Sequence, residues 1–127
     1  QYGQMAAVGV VYMLVVAVNR QLRDEGWYSA QGIRPPDLLQ WLDLVALGTV
    51  CDVVPLTGVN RAFVAQGLKV AAQRKNVGLK ALADICGVTD KPSTYHAGFI
   101  YGPRVNAGGR VGRADAGVKL LTNMGRY

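Results

Sequence analysis

The chain has 127 residues, half of them hydrophobic, and a formal net charge of +6 at pH 7. That is enough for one domain with a real core, and it excludes a chain disordered by composition. Its positive charge suits a polyanionic partner without specifying one. The apolar run from Met5 to Val18 is shorter than the roughly 18 residues a membrane span needs, and no secretory signal with a cleavage site is present. We therefore expect a soluble, cytoplasmic protein with no membrane partner.

In chain order, Met5 to Arg23 is apolar nearly all round until Asn19. Valine enrichment would suit a strand, but the length favours a helix, and a helix apolar on every side is a core helix. Gly26 ends it, and GWYSAQGIRPP reads as a loop. Pro36 and Asp37 open a second helix, with Leu38, Trp41, Leu42, Val45 and Ala46 at helical spacing and Pro55 as its stop. Val50 to Val54 fits either strand or helix. Asn60 reads as the cap of a third helix, Arg61 to Gln73. Leu79 to Cys86 makes a fourth, closed by Gly87. Ser93 caps a fifth, Thr94 to Tyr101, stopped by Gly102-Pro103. A Gly-rich irregular stretch follows, and Asp115 starts a last helix through Leu121. The expected fold is mostly α. Valine-rich sequence begins almost at the first residue, without an initiator methionine, and LLTNMGRY stops just after a helical pattern. Both ends read as cuts through a longer protein.

Two stretches carry candidate chemistry. The first is LDLVALGTVCDVVPL, residues 42–56. Asp43 sits early, where a helix favours an acid. Asp52 lies between Cys51 and Val-Val-Pro, deep in an apolar run, where a lone carboxylate is costly to bury. It is either a capping or salt-bridged carboxylate in a turn before Pro55 or a ligand to a hard cation. One carboxylate makes no metal site, and the chain offers one histidine, one glutamate and few other acids. Partner ligands would therefore lie outside these residues.

The second is GPRVNAGGRVGR, residues 102–113. Its glycines allow close backbone approach, Arg104, Arg110 and Arg113 supply bidentate phosphate donors, and Asn106 suits a left-handed turn or a ligand bond. The stretch is either an anion cradle or a solvated basic loop. It has no GK[ST] and no strand-then-helix setting, so it is neither a Walker A loop nor a dinucleotide fingerprint. From Lys91 onward six basic residues face one acid, Asp115. His96, the single histidine, reads as structural. Cys51 and Cys86 lack CxxC spacing and read as buried free thiols. The scattered aromatics make no single-strand stacking ladder.

Together these stretches resemble one family. LDLVALGTVCDVVPLTGVNRAFVAQGL is similar to the segment closing the catalytic domain of RecJ-type single-stranded-DNA exonucleases, in the DHH phosphoesterase superfamily. GPRVNAGGRVGRADAGVKLL is similar to the same family's later GPR-N-A-GR segment, in matching order and spacing. AAVGVVYMLVVAVNRQL resembles the helix that precedes the first motif. The resemblance implies 5′→3′ removal of mononucleotides from single-stranded DNA by two-metal hydrolysis with Mn²⁺ or Mg²⁺. The metals would be held by an Asp-x-Asp motif, a DHH motif and the Asp of LGTVxD. Asp52 matches that last Asp, as metal ligand and catalytic residue. Arg104 matches an arginine near the substrate phosphates, and Asn106, Arg110 and Arg113 would share that surface.

The departures are as informative. Asp-x-Asp, DHH and the Gly-Gly motif of the DHH-associated domain are absent. Cys51 stands where alanine is more usual, and TNMGRY leaves the family pattern. The expectation is a helical fragment. Residues 1–58 would end an α/β DHH catalytic domain, and residues 59–127 would form a helical connector towards the DHH-associated domain. Such a fragment would be inactive alone and would cover its orphaned apolar helix by self-association. The rival readings are a phosphodiesterase of the same superfamily acting on oligonucleotides or cyclic dinucleotides, and a non-enzymatic nucleic-acid-binding module.

Overall fold

A computed structural model describes residues 4–87, 93, 97, 101–105 and 115–122. The elements are α1 (Ala7–Asp24), α2 (Trp27–Gln31), a 3₁₀ helix (Leu38–Trp41), α3 (Leu42–Cys51), α4 (Gly58–Ala72), α5 (Val77–Ile85), a helical stretch α6 at 101–105, and α7 (Ala116–Thr122). No strand occurs among the described residues, so the mostly α expectation holds. No helix among them is long and apolar enough to cross a membrane.

The punctuation explains the boundaries. α1 runs out at Gly26, whose φ of 70° closes a left-handed helix end. The following stretch is a short helix, α2, rather than the expected loop, because Gly26 and Gly32, both left-handed, bracket one helical turn. Asp37, expected in the first turn of the next element, instead caps it from outside, its carboxylate accepting the Leu39 N–H at 3.1 Å. The chain enters there as 3₁₀ and becomes α at Leu42. Val50 and Cys51 are helical, and a turn follows at Asp52 and Val53. α4 begins earlier than expected, at Gly58 with Thr57 in the cap position. Asn60 is therefore inside the helix instead of capping it. Asn76 caps α5 by accepting the Leu79 N–H at 3.0 Å, and Gly87 closes it at φ 69°.

Ala97 N–H donates to Ser93 O at 3.1 Å. The rest of the expected Thr94–Tyr101 helix lies outside the described residues, apart from Ala97 and Tyr101. Gly102-Pro103 does not stop the chain's helical path, which continues through 105. Proline's fixed φ is itself helix-compatible. Asp115 precedes α7 and pairs with Lys119 at 3.1 Å.

The core helix is α3, not α1. Leu42, Val45, Ala46, Leu47 and Thr49 of α3 are all buried. On one side Leu42 and Val45 pack with Phe63 of α4, with Met5, Val8 and Tyr12 against them. On the other, Leu47 packs with Leu79, Leu82, Ala83, Ala97 and Tyr101. α3 and α4 form an antiparallel hairpin drawn tight at Gly67, where any β-carbon would collide with Leu42 O and Ala46 Cβ. α1 touches this body along one side, through Gly9, the Tyr12–Phe63 edge contact at 5.6 Å, and the Tyr12 hydroxyl donating to Leu38 O at 3.2 Å. Its other apolar side is uncovered: Leu14 is 62% exposed and Val10 56%. The expectation of a helix buried all round thus fails here, because the described residues supply neighbours on one side only.

Candidate metal and phosphate site

Asp52 is the C-terminal cap of α3, its backbone N–H donating to Gly48 O at 3.1 Å. The expected burial of its carboxylate does not occur. The apolar run buries the α3 side chains up to Thr49, and the chain then emerges, leaving Cys51, Asp52 and Val53 exposed. Among the described residues no hydrogen bond or ion pair engages the Asp52 carboxylate, so the capping or salt-bridged reading has no partner there. An acid at a helix C-terminus faces the negative end of the dipole, a placement that a bound cation would relieve. Val53, next in sequence, is 87% exposed with φ 54°. A β-branched residue in the left-handed region costs on the order of 1–3 kcal/mol, strain that concentrates at functional turns. A hard oxygen donor on a strained, open turn fits a divalent cation. Among the described residues no group of three His, Cys, Asp or Glu side chains completes a site.

The two sequence motifs meet beside this turn. Cys51 Sγ donates to Ala97 O at 3.5 Å, and burial pushes its thiol pKa up. A β-carbon on Gly102 would collide with that sulfur and lie 2.9 Å from Ala97 O, so the close approach requires glycine. LGTVCD and GPR are therefore in direct contact through Cys51 and Gly102. Arg104, two residues on, is exposed on α6. Asn106, Arg110, Arg113 and His96 lie outside the described residues. Both cysteines are free, but neither is buried as expected: Cys51 is exposed as a residue, although its sulfur is tucked inward, and Cys86 is half-buried.

Two polar residues carry more of this region than their sequence reading assigned. Asn60 is fully buried, and its Nδ2 donates to Gln4 O at 2.8 Å and Pro55 O at 3.0 Å. The signal was its register: Asn60, Phe63, Val64 and Gly67 form one buried stripe of α4 at the i, i+3, i+4, i+7 spacing. Asp43 is 4% exposed and accepts the Leu44 N–H at 2.7 Å. Burial pushes its carboxyl pKa up, opposed by backbone hydrogen bonds. It lines a small cavity of about 30 Å³ with Arg74, Lys80, Ser93 and Tyr101, room for about one or two waters.

No protein-family profile matches the chain. It is 44% identical over 119 residues to the single-stranded-DNA-specific exonuclease RecJ of Salmonella typhimurium, covering 92% of this chain and 21% of the relative. It is 38% identical over 113 residues to the Thermus thermophilus exonuclease of the same name, covering 89% and 15%. Over nearly its whole length the chain is similar to RecJ exonucleases, and it fits a fragment of one. Two solved RecJ structures share its fold. A crystal structure of exonuclease RecJ bound to manganese matches with TM-score 0.61 and 38% identity, over 76% of this chain and 24% of that one. RecJ from Thermus thermophilus in complex with Mn²⁺ matches with TM-score 0.59 and 38% identity, over 74% and 14%. The chain thus spans between 14% and 21% of the length of the curated RecJ relatives it matches.

Proposed function

We propose that these residues are part of a cytoplasmic 5′→3′ single-stranded-DNA exonuclease that hydrolyses phosphodiester bonds with two divalent cations, Mn²⁺ or Mg²⁺. Asp52 is a ligand to the metal centre. Arg104, with Asn106, Arg110 and Arg113, faces the substrate phosphates, and the guanidinium groups hold phosphate oxygens through charge-assisted bonds. When bound, the cations supply an activated water and stabilise the leaving oxygen. Residues 1–58 close the catalytic domain and residues 59–127 lead towards the DHH-associated domain. The observation that carries this reading is the contact between Cys51 and Gly102, which sets the carboxylate turn beside the GPR segment.

The 127 residues alone do not hydrolyse DNA, since one carboxylate cannot hold two cations. With Mn²⁺ and 5′-phosphorylated single strands, the full-length protein is expected to release mononucleotides and this chain none. Hydrolysis by the chain itself, or none by the full-length protein, would overturn the reading. Cleavage confined to short oligonucleotides or cyclic dinucleotides would replace it with the related phosphodiesterase. Metal-free, salt-sensitive strand binding without cleavage would replace it with a binding module.

The uncovered side of α1 carries a second proposal. Leu14, Val15 and Val18 join Tyr28, Pro36, Leu38 and Trp41 around an apolar groove of about 270 Å³. In isolation the chain self-associates through this face. Light scattering is expected to show a mass above that of one chain, falling towards the monomer in Leu14→Lys. A monomer throughout the accessible concentration range would reject it.

A further inference from the structure

We infer that Asn60 is a positioning residue for the Asp52 turn. This rests on the assignment of Asp52 as a metal ligand and adds the device that holds that ligand in place. The turn from Asp52 to Thr57 links α3 to α4, and most of it is exposed. Something other than packing must fix its path. Asn60 supplies it: from inside the first turn of α4, its amide nitrogen clasps Pro55 O at 3.0 Å and Gln4 O at 2.8 Å. One side chain thus ties the segment leaving Asp52 to the segment entering α1.

The clasp does not cap α4, because its amide donates to carbonyls outside the helix and satisfies none of the helix's own N–H groups. It is not surface decoration either, because Asn60 is 0% exposed. The hairpin register places it at the metal-ligand end. Gly67 meets Leu42 and Ala46, so about two turns back along α4 lies level with the last turn of α3. That last turn carries Thr49, also 0% exposed. Thr49 Oγ1 and Asn60 Oδ1 are both buried without a hydrogen-bond partner among the described residues. A hydrophobic pair would fill such positions without orphaned oxygens. Retaining polar groups there is understandable where they hold a functional turn rather than add to the core.

The test is Mn²⁺ affinity, read from the electron paramagnetic resonance signal of free Mn²⁺, in the full-length protein carrying this segment. Asn60→Leu removes both donors, and Asn60→Ser keeps a single hydroxyl and answers if the leucine variant does not fold. Asn76→Ala serves as control: Asn76 also bonds two segments, donating to Leu121 O at 2.9 Å and accepting from Leu79 N, but it lies away from the turn. The Asn60 variants are expected to weaken Mn²⁺ binding by about 10-fold or more, as loss of ligand-orienting groups does. Asn76→Ala is expected to lower the melting temperature and leave Mn²⁺ affinity unchanged. Unchanged affinity in the Asn60 variants, whatever their melting temperature, overturns the inference, as does equal weakening in Asn76→Ala. Asp52→Ala separates the two levels. If it leaves Mn²⁺ affinity intact, the ligand assignment itself fails. If it abolishes binding while the Asn60 variants do not weaken it, the positioning role alone fails.

Discussion

Asp52→Ala in the full-length protein is expected to cut Mn²⁺-dependent release of mononucleotides by well over the ~100-fold that loss of an outer-shell group costs. Asp52→Asn is expected to fall nearly as far, because the amide keeps the shape and loses the charge. Neither change should harm the fold. The carboxylate is exposed and engages no hydrogen bond or ion pair among the described residues. It also sits at the C-terminus of α3, where removing an acid relieves about 0.3–1 kcal/mol of unfavourable dipole interaction. In metal-free protein the melting temperature should hold or rise slightly while activity is lost. That combination separates a ligand from a structural carboxylate, which would lose both together. The measurement is a paired one, mononucleotide release against thermal unfolding. Activity surviving in Asp52→Ala would remove Asp52 from the metal centre.

Local rules served best where neighbouring residues alone decide the outcome. Asp37 stands at the start of its helix, and Gly26 and Gly87 end theirs in the left-handed region. The expected start of α5 at Leu79 is two residues late, because the Asn76 side chain caps the helix ahead of Val77. Position within the body was harder to read. α1 and α3 are both apolar nearly all round, so periodicity does not tell which lies at the centre. Here it is α3, because α4 packs on one side and α5 on the other. The Asn60 position shows the opposite failure. Its residue type suits a cap, but the buried stripe it shares with Phe63, Val64 and Gly67 overrides type. The Asp52 carboxylate is exposed despite its apolar sequence neighbours, since a helix buries faces, not intervals of sequence. The contact between Cys51 and Gly102 joins residues far apart in sequence. No spacing rule reaches that distance, and neither motif announces the contact in its own sequence.

Gly67→Ala is expected to destabilise the chain by about 1–3 kcal/mol, even though alanine is the better helix former. At an exposed helical site the exchange would gain about 1 kcal/mol. At Gly67 the added methyl meets Leu42 O and Ala46 Cβ inside contact distance, with the Leu42 carbonyl carbon at 3.0 Å. The obstacle is backbone of the core helix, so it cannot swing aside. Relief requires α3 and α4 to separate, and that gap lies between Leu42, Val45 and Phe63, which pack across it. Gly9→Ala is the control. There the new methyl meets side chains only, Met5 at 2.6 Å from Cγ and 3.1 Å from Sδ, and Phe63 Cε2 at 3.2 Å; Met5 is unbranched and can turn away, and the ring need give by only a few tenths of an ångström. Its cost should be smaller than that of Gly67→Ala. For a domain of this size 1–3 kcal/mol corresponds to a fall in melting temperature of very roughly 4–20 °C, readable by circular dichroism. A melting temperature equal to or above that of the unmodified chain would mean that the hairpin is looser than the close approach at Gly67 implies. Wedging the hairpin at Gly67 also loads its other end, where Asn60 holds the turn. In the full-length protein the same substitution should therefore weaken Mn²⁺ binding without touching any ligand, whereas Gly9→Ala should not.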